Sequence, residues 1–440
     1  MLQLPEIFVK RMSTQLGNDS PSFFRSLEEP TPVSIRMNPF KPLSAFERQE
    51  LVPWCENGRY LQERISFTLD PLFHAGCYYV QEASSMFIEM AFREHSKKDE
   101  SMRVLDLCAA PGGKSTHLLS LLSRGSLLVS NEPIPSRNAI LRDNLSKWGC
   151  ENVMVTQNDP QDFNKLRDYF DIVLVDAPCS GEGLFRKNHD AVREWNESNL
   201  AMCSTRQHAI LENVLPSLKP GGMLIYSTCT YNESENDGAC EFLQKTGDLQ
   251  PMELEPLHGA VKTRFGLQMF PHLVRGEGFF MAALKKTDDP VAIASSKKWN
   301  GKPVSFKSAS EWLLHPENFL FESQSSLLFA IPKEFQDEIQ FLRSKLFVRK
   351  AGICMGSLSG DELIPSQELA MFVGHAEQLP SVELPLEEAL RYLRGEALAN
   401  NTQLKGWCIA SFNGHALGWM KGVGNRFNNS YPKELRIKNL

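Results

Sequence analysis

The stretch LDLCAAPGGKSTHLL, Leu105 to Leu119, opens as a buried strand and closes as a helix, with Gly112, Gly113 and Lys114 between them. A strand running through a glycine turn into a helix offers a small ligand a cradle of backbone N–H groups. Two phosphate-binding patterns fit it poorly. A P-loop needs a glycine where Cys108 stands, and Pro111 inside the turn has no N–H to donate. The G-x-G-x-x-G dinucleotide fingerprint is absent. VLVDAP, Val173 to Pro178, is compatible with the acidic strand of an ATPase, so a P-loop nucleotide hydrolase stands as a competing reading.

Outward from this turn the chain alternates. RVLDL, SLLVSN, NVMVTQ, FDIVLVD and GGMLIYSTC read as strands. Helical patterns cover residues 112–122, 136–148 and 205–218. Strands separated by helices imply right-handed crossovers and a parallel, doubly wound α/β sheet covered on both faces. GLQMF and GFFMAALKK read as an antiparallel pair closing the unit. Lys286 to Val304, rich in charge, Pro and Ser, reads as a linker, and His95 to Ser101 as a polar hinge.

An open parallel sheet binds ligands at the carboxyl ends of its strands. Glu132 follows the second strand, where a carboxylate can accept ribose hydroxyls, and Asp159 follows the third, close to an adenine edge. A glycine turn with acids after the next two strands is the layout of an S-adenosyl-L-methionine site. Residues Cys108, Ala109, Ala110, Pro111, Gly112, Gly113, Lys114, Glu132, Asp159 and Asp176 are its candidate cofactor-binding residues. Asp176 ends the fourth strand, Cys179 follows three residues later, and Cys229 ends the fifth. These residues present two thiols and one acid at a ligand-binding edge, and by themselves leave open which thiol attacks. His is not clustered near them, which speaks against a metal site.

Three motifs in order, CAAPGGK, DAPCSG and STCTY, resemble the RNA cytosine-5 methyltransferases of the RsmB/RsmF and NSUN family. SIRMNPFK and YYVQEASS resemble that family's N-terminal motifs, and GEGLFRKNHDA and VGNRFNNSYPKELR resemble its RsmF type. The resemblance implies a class I, Rossmann-like methyltransferase that modifies small-subunit (16S) ribosomal RNA, with transfer RNA as the alternative substrate. It implies catalysis by Cys229 as the nucleophile on carbon 6, Cys179 assisting release and Asp176 as the acid at N3. It divides the chain into an N-terminal helical and α+β RNA-binding extension (1–70), a methyltransferase core (71–287), a lid or middle domain (300–385) and a PUA-like RNA-binding β domain (386–440). Lys114 either reaches Asp176 or points to solvent from a helix N-terminus, and Arg186 and Lys187 either grip flanking phosphates or form an ordinary solvated charge pair.

Composition bounds the rest. At 440 residues, with 42% hydrophobic and 23% charged, the chain is globular and long enough for two or three domains. A net charge of −6 carries no bulk signal for nucleic acid. The last forty residues differ: Lys405, Lys421, Arg426, Lys433, Arg436 and Lys438 face the single acid Glu434, interleaved with Trp407, Phe412, Trp419, Phe427 and Tyr431. That mixture reads as an RNA-contacting surface. A non-catalytic RNA-binding or assembly factor is therefore the third reading. The ten cysteines form no C-x-x-C pair, and no apolar run reaches the roughly 18 residues of a membrane span. A cytoplasmic monomer with reduced thiols, no metal and no membrane partner is expected.

Overall fold

The computed structural model describes residues 3–95, 100–246, 249–287, 303–360 and 362–438. Five parallel strands form its centre: β1 (Arg103–Asp106), β2 (Leu127–Asn131), β3 (Val153–Thr156), β4 (Phe170–Asp176) and β5 (Leu218–Thr228). Across the sheet they run β5-β4-β1-β2-β3, so the order reverses at β1. Their near-continuous apolar sequences follow from burial on both faces. Val104, Leu128, Ile172 and Ile225 point into one core, and their neighbours Leu105, Val129, Val173 and Leu224 into the other. This is the period-two alternation of a strand. Helices α1 (Gly113–Leu121) and α2 (Pro135–Trp148) cover the first face, and α3 (Glu197–Val214) and α4 (Asp237–Thr246) the second.

The expected antiparallel closure is present: Leu267–Met269 pairs with Phe279–Lys286, which pairs with β5. Helix α3 starts eight residues before the Thr205 expected from periodicity, because Asn196 caps it by accepting from Asn199 N at 2.9 Å. It ends at Val214, since Pro216 cannot continue the ladder, and Leu218 already belongs to β5. The centre of the expected linker (288–302) and of the expected hinge (96–99) lie outside the described residues.

Two boundaries differ from those read in the sequence. Val348–Ala351, within the segment 300–385, is an antiparallel edge strand of the central sheet, paired to β3. It covers a strand edge that would otherwise be open. Its sequence VRKA hid it, because Lys350 is buried and neutralised by Glu368 at 2.7 Å. Ser381–Glu383, before residue 386, is a strand of the C-terminal five-stranded sheet, parallel to Gly406–Phe412.

The C-terminal sheet is not a free lobe. Tyr392, Leu417, Met420, Phe427 and Tyr431 share one core with Ile35, Leu61 and Tyr78 of the N-terminal three-stranded sheet. Of the five aromatics expected to stack on RNA, Trp419, Phe427 and Tyr431 are buried core residues. Lys405, Arg426, Lys433 and Lys438 remain exposed.

Arg36, in the strand Val33–Met37, ties the N-terminal sheet to the catalytic core. It is wholly buried, and burial pulls its pKa down to about 10. The guanidinium donates to Gln81 Oε1 at 2.9 Å, Gly113 O at 3.1 Å and Thr116 Oγ1 at 2.6 Å, and lies 4.7 Å from the Trp148 ring. Arg36→Met is expected to strand these acceptors and cost about 3 kcal/mol or more, read as a fall in the urea midpoint.

Candidate active site

Because the strand order reverses at β1, the crevice opens at the carboxyl ends of β1 and β4. The glycine turn leaves β1 there. Gly112 has φ +112°, and a Cβ on it would sit 3.3 Å from Leu141 Cδ1, so only glycine fits. Arg137 and Asn144 of α2 donate to the carbonyls of Ala110 and Pro111 at 3.0 and 2.8 Å, and Ala109 N donates to Asn131 O at 2.9 Å. The Cys108 thiol is pushed up by burial.

Asp106 is fully buried at the end of β1. Ser115 Oγ donates to its Oδ2 at 2.7 Å, while Oδ1 is buried without a protein partner. Burial, opposed by Ser115 and reinforced by the charge of Asp176, pushes this carboxyl up to about 7. An orphaned buried acceptor at a strand end has capacity for one more donor.

Glu132, one residue past β2, is 1% exposed. Its Oε1 accepts from Ile134 N at 2.9 Å, and its Oε2 faces half-exposed Arg137 at 3.3 Å. Each oxygen already has one partner, and each keeps a second lone pair. Asp159 is exposed beyond β3. Next to Glu132 in the chain lies a residue the sequence reading missed. Buried Asn131 donates to the Leu107 and Asn158 carbonyls and accepts from Thr156 Oγ1 and Asn158 N, joining the ends of β1, β2 and β3.

The two thiols meet. Cys179 Sγ and Cys229 Sγ are 3.2 Å apart, and Cys229 N donates to Cys179 Sγ at 3.4 Å. The hydrogen bond to Cys229, and then burial, push the Cys179 thiol well up, so it stays protonated beside its neighbour. Lys114 Nζ reaches Asp176 Oδ2 at 2.7 Å, and Ser227 Oγ donates to Oδ1 at 2.8 Å. Burial alone would lower the Lys114 pKa; the charge of Asp176 outweighs it and raises it. With Lys114 committed to a carboxylate, the turn lacks the free lysine of a phosphate cradle. Glu235, also missed in the sequence, is fully buried and locks the Cys179 loop. It accepts from Ser180 N at 2.9 Å, Ser180 Oγ at 2.5 Å and Gln207 Nε2 at 3.0 Å.

Arg186 corrects an expectation. Its side chain is 4% exposed and bound to Glu277 and the Gly276 carbonyl, so it is a buried strut rather than a phosphate grip. Lys187 is exposed. Among the described residues one cluster has metal-ligand chemistry, Cys55, Glu89 and His117, all buried. His117 Nε2 lies 2.8 Å from Glu89 Oε2 and 3.6 Å from Cys55 Sγ. Burial pulls the His117 pKa down to about 4. No motif spacing announces this cluster, and it lies outside the thiol site.

A doubly wound sheet carrying an acid and two thiols on adjacent strand ends defines a Rossmann-like methyltransferase. Residues 94–285 match the family model for the 16S rRNA methyltransferase RsmB/F, residues 4–83 the N-terminal domain of the 16S rRNA methyltransferase RsmF, and residues 379–437 the methyltransferase RsmF PUA domain. The chain is 32% identical to the ribosomal RNA small subunit methyltransferase F of a Shewanella species, over 99% of this chain and 98% of that protein. It is 30% identical to the protein of the same name from Vibrio campbellii, over 99% and 98%. A crystal structure of a methyltransferase homolog from Pyrococcus horikoshii, 27% identical, superposes with a TM-score of 0.56 over 65% of this chain and 96% of that one. The chain belongs to the RsmF family of ribosomal RNA small subunit methyltransferases. Among the described residues, no helix is long and apolar enough to cross a membrane.

The buried acid gives the site a pH signature. Because the folded pKa of Asp106 is raised to about 7, the folded protein keeps a proton between about pH 4 and pH 7 that the unfolded chain has released. The stability that proton contributes is complete below pH 4 and is lost as pH rises to 7, a loss on the order of 4 kcal/mol. Asp106→Asn is expected to gain stability relative to wild type across that window and to hold a constant difference above it. Urea midpoints of both proteins at pH 4.5, 6 and 8 check the sign (pH values roughly spanning the window).

Proposed function

We propose that this protein transfers the methyl group of S-adenosyl-L-methionine to carbon 5 of a cytosine in small-subunit ribosomal RNA, through a covalent adduct between Cys229 and carbon 6. The observation that carries the reading is the 3.2 Å contact of Cys179 and Cys229 beside Asp176. One thiol would suffice for attack; two suit a reaction in which a covalent bond must be made and then broken.

The cradle fits the cofactor. The 108–114 turn would lie along its methionine part, Asp106 Oδ1 offers an acceptor to its amino group, Glu132 Oε2 to its ribose, and Asp159 flanks the adenine position. When bound, the sulfonium supplies an electrophilic methyl group. The chain's own residues do the rest. Carbon 5 of cytosine is a poor nucleophile until a thiolate adds to carbon 6, and Cys229 makes that bond. Addition places negative charge at N3, and Asp176 is the acid there, passing on a proton that it draws from cationic Lys114 at 2.7 Å. After carbon 5 is methylated, its proton passes to a base with Cys179 assisting, the C5–H electron pair becomes the 5,6 double bond, the carbon 6–sulfur bond breaks with Cys229 leaving as a thiolate, and the N3 proton returns to the Asp176–Lys114 pair.

The base must leave its stack to reach these partly buried thiols. Exposed Lys187, Lys405, Arg426, Lys433 and Lys438 are the cations available to RNA phosphates. In this reading the N-terminal extension and the PUA-like domain flank the RNA, and the protein works as a cytoplasmic monomer.

Cys229→Ser is expected to lose methyl transfer by on the order of 10³-fold or more and to form no adduct. Cys179→Ser is expected to methylate once and accumulate a protein–RNA adduct that survives denaturing electrophoresis. An adduct in the Cys229 variant and none in the Cys179 variant would reverse the two roles. Turnover near wild type in both Cys179→Ala and Cys229→Ala would remove the covalent mechanism.

A further inference from the structure

The loops that carry the two thiols are joined to the N-terminal helix Glu6–Leu16 by one buried carboxylate. Glu182, three residues beyond Cys179, is fully buried. Its Oε2 accepts from Arg11 Nη2 at 2.7 Å and from Tyr231 N at 3.2 Å, and its Oε1 from Trp195 Nε1 at 2.9 Å. Tyr231 lies two residues beyond Cys229. Gly183 N also donates to Cys229 O at 2.8 Å, and a Cβ at Gly183 would come within 2.8 Å of that oxygen. The two loops are thus pressed together immediately behind the sulfurs.

The helix is anchored on the same spot. Phe8 packs against Phe185 at 5.0 Å and Trp195 at 6.1 Å, and Gln15 Nε2 donates to Tyr231 O at 3.5 Å. Arg11, 28% exposed, is the cation that balances Glu182. A buried carboxylate without its cation is unstable and must protonate, move or draw in water.

We propose that the N-terminal helix is a positioning element of the active site: Arg11 pairs with Glu182 and holds it in place, and Glu182 sets the separation of the Cys179 and Cys229 loops. The inference rests on the reading of those cysteines as the reacting pair. It makes residues 4–16 part of the machinery for release and attack, beyond any role in holding RNA. The Cys179 pKa is raised first by its hydrogen bond to Cys229, so loosening the loops would lower it.

The full chain is the test system, as wild type, Arg11→Met, Arg11→Lys and Glu182→Gln. Iodoacetamide labelling of Cys179 against pH, read by mass spectrometry, reports the thiol contact without RNA or cofactor. Turnover on small-subunit ribosomal RNA reports its consequence. Arg11→Met is expected to lower the pH midpoint of Cys179 labelling and to cut kcat about 10- to 100-fold, with KM for S-adenosyl-L-methionine within about twofold. Arg11→Lys restores part of both. Glu182→Gln keeps the shape of the side chain and leaves the unpaired cation on Arg11, which at 28% exposure can draw on water, and it is expected to shift both readouts in the same direction. If Glu182→Gln keeps the wild-type midpoint and kcat, the carboxylate is only a fold contact and the proposal is overturned. If the wild type methylates no RNA, the functional reading fails, and the labelling midpoints alone still decide whether the helix positions the thiols.

Discussion

The parallel register that sets Asp176 of β4 against Ser227 of β5 is the constraint on which the site depends. Parallel neighbours deliver their carboxyl ends to one edge of the sheet. With Asp176 opposite Ser227, the two chains leave the sheet together, and Cys179 and Cys229 arrive at 3.2 Å. A slip of one residue would turn every side chain of a strand to the opposite face. That slip is blocked by the two cores, which claim Ile172 and Leu174 on one side and Val173 and Val175 on the other. Packing far from the thiols therefore fixes their separation.

Buried charge is the second theme. Lys114 and Asp176, Arg11 and Glu182, Arg186 and Glu277, and Lys286 and Asp168 are paired at 2.7 to 3.1 Å, each with at least one partner largely buried. Pairs of this kind contribute little net stability against well-packed apolar residues, yet breaking one is costly. Three of these four surround the cysteine loops or the turn that faces them. Asp106 and Glu235 depart from the pattern, since both are pushed up by burial and neither has a cationic partner in hydrogen-bonding reach among the described residues. Asp106 Oδ1, just ahead of the turn, is a buried side-chain oxygen without a protein partner.

The flanking domains are built into this centre. The N-terminal sheet shares a core with the C-terminal sheet, Arg36 reaches from the first into the carbonyls of α1, and Val348–Ala351 closes the β3 edge of the catalytic sheet. Loss of the last forty residues would expose Ile35, Leu61 and Tyr78. Of that tail, Lys405, Arg426, Lys433 and Lys438 stay exposed, while Trp419, Phe427 and Tyr431 are spent on the core.

What the sequence by itself determined is local. Apolar runs of strand length, punctuated by glycine turns and helical periods, specified the doubly wound sheet. The order of motifs put an acid or a thiol at the end of each strand. For Lys114 the sequence left two alternatives, Asp176 or solvent, and the structure pairs it with Asp176. What the tertiary structure decided depends on partners remote along the chain. Arg186 and Lys187 are adjacent cations with the same local signal, yet one is buried on Glu277, 91 residues away, and the other is exposed. VRKA shows no strand pattern because the charge of Lys350 is cancelled by Glu368 from another element. Glu182 acquires its meaning from Arg11, 171 residues earlier. Burial and charge compensation are properties of assembled surfaces. A periodicity confined to one segment encodes which face turns inward, but not what will be waiting there.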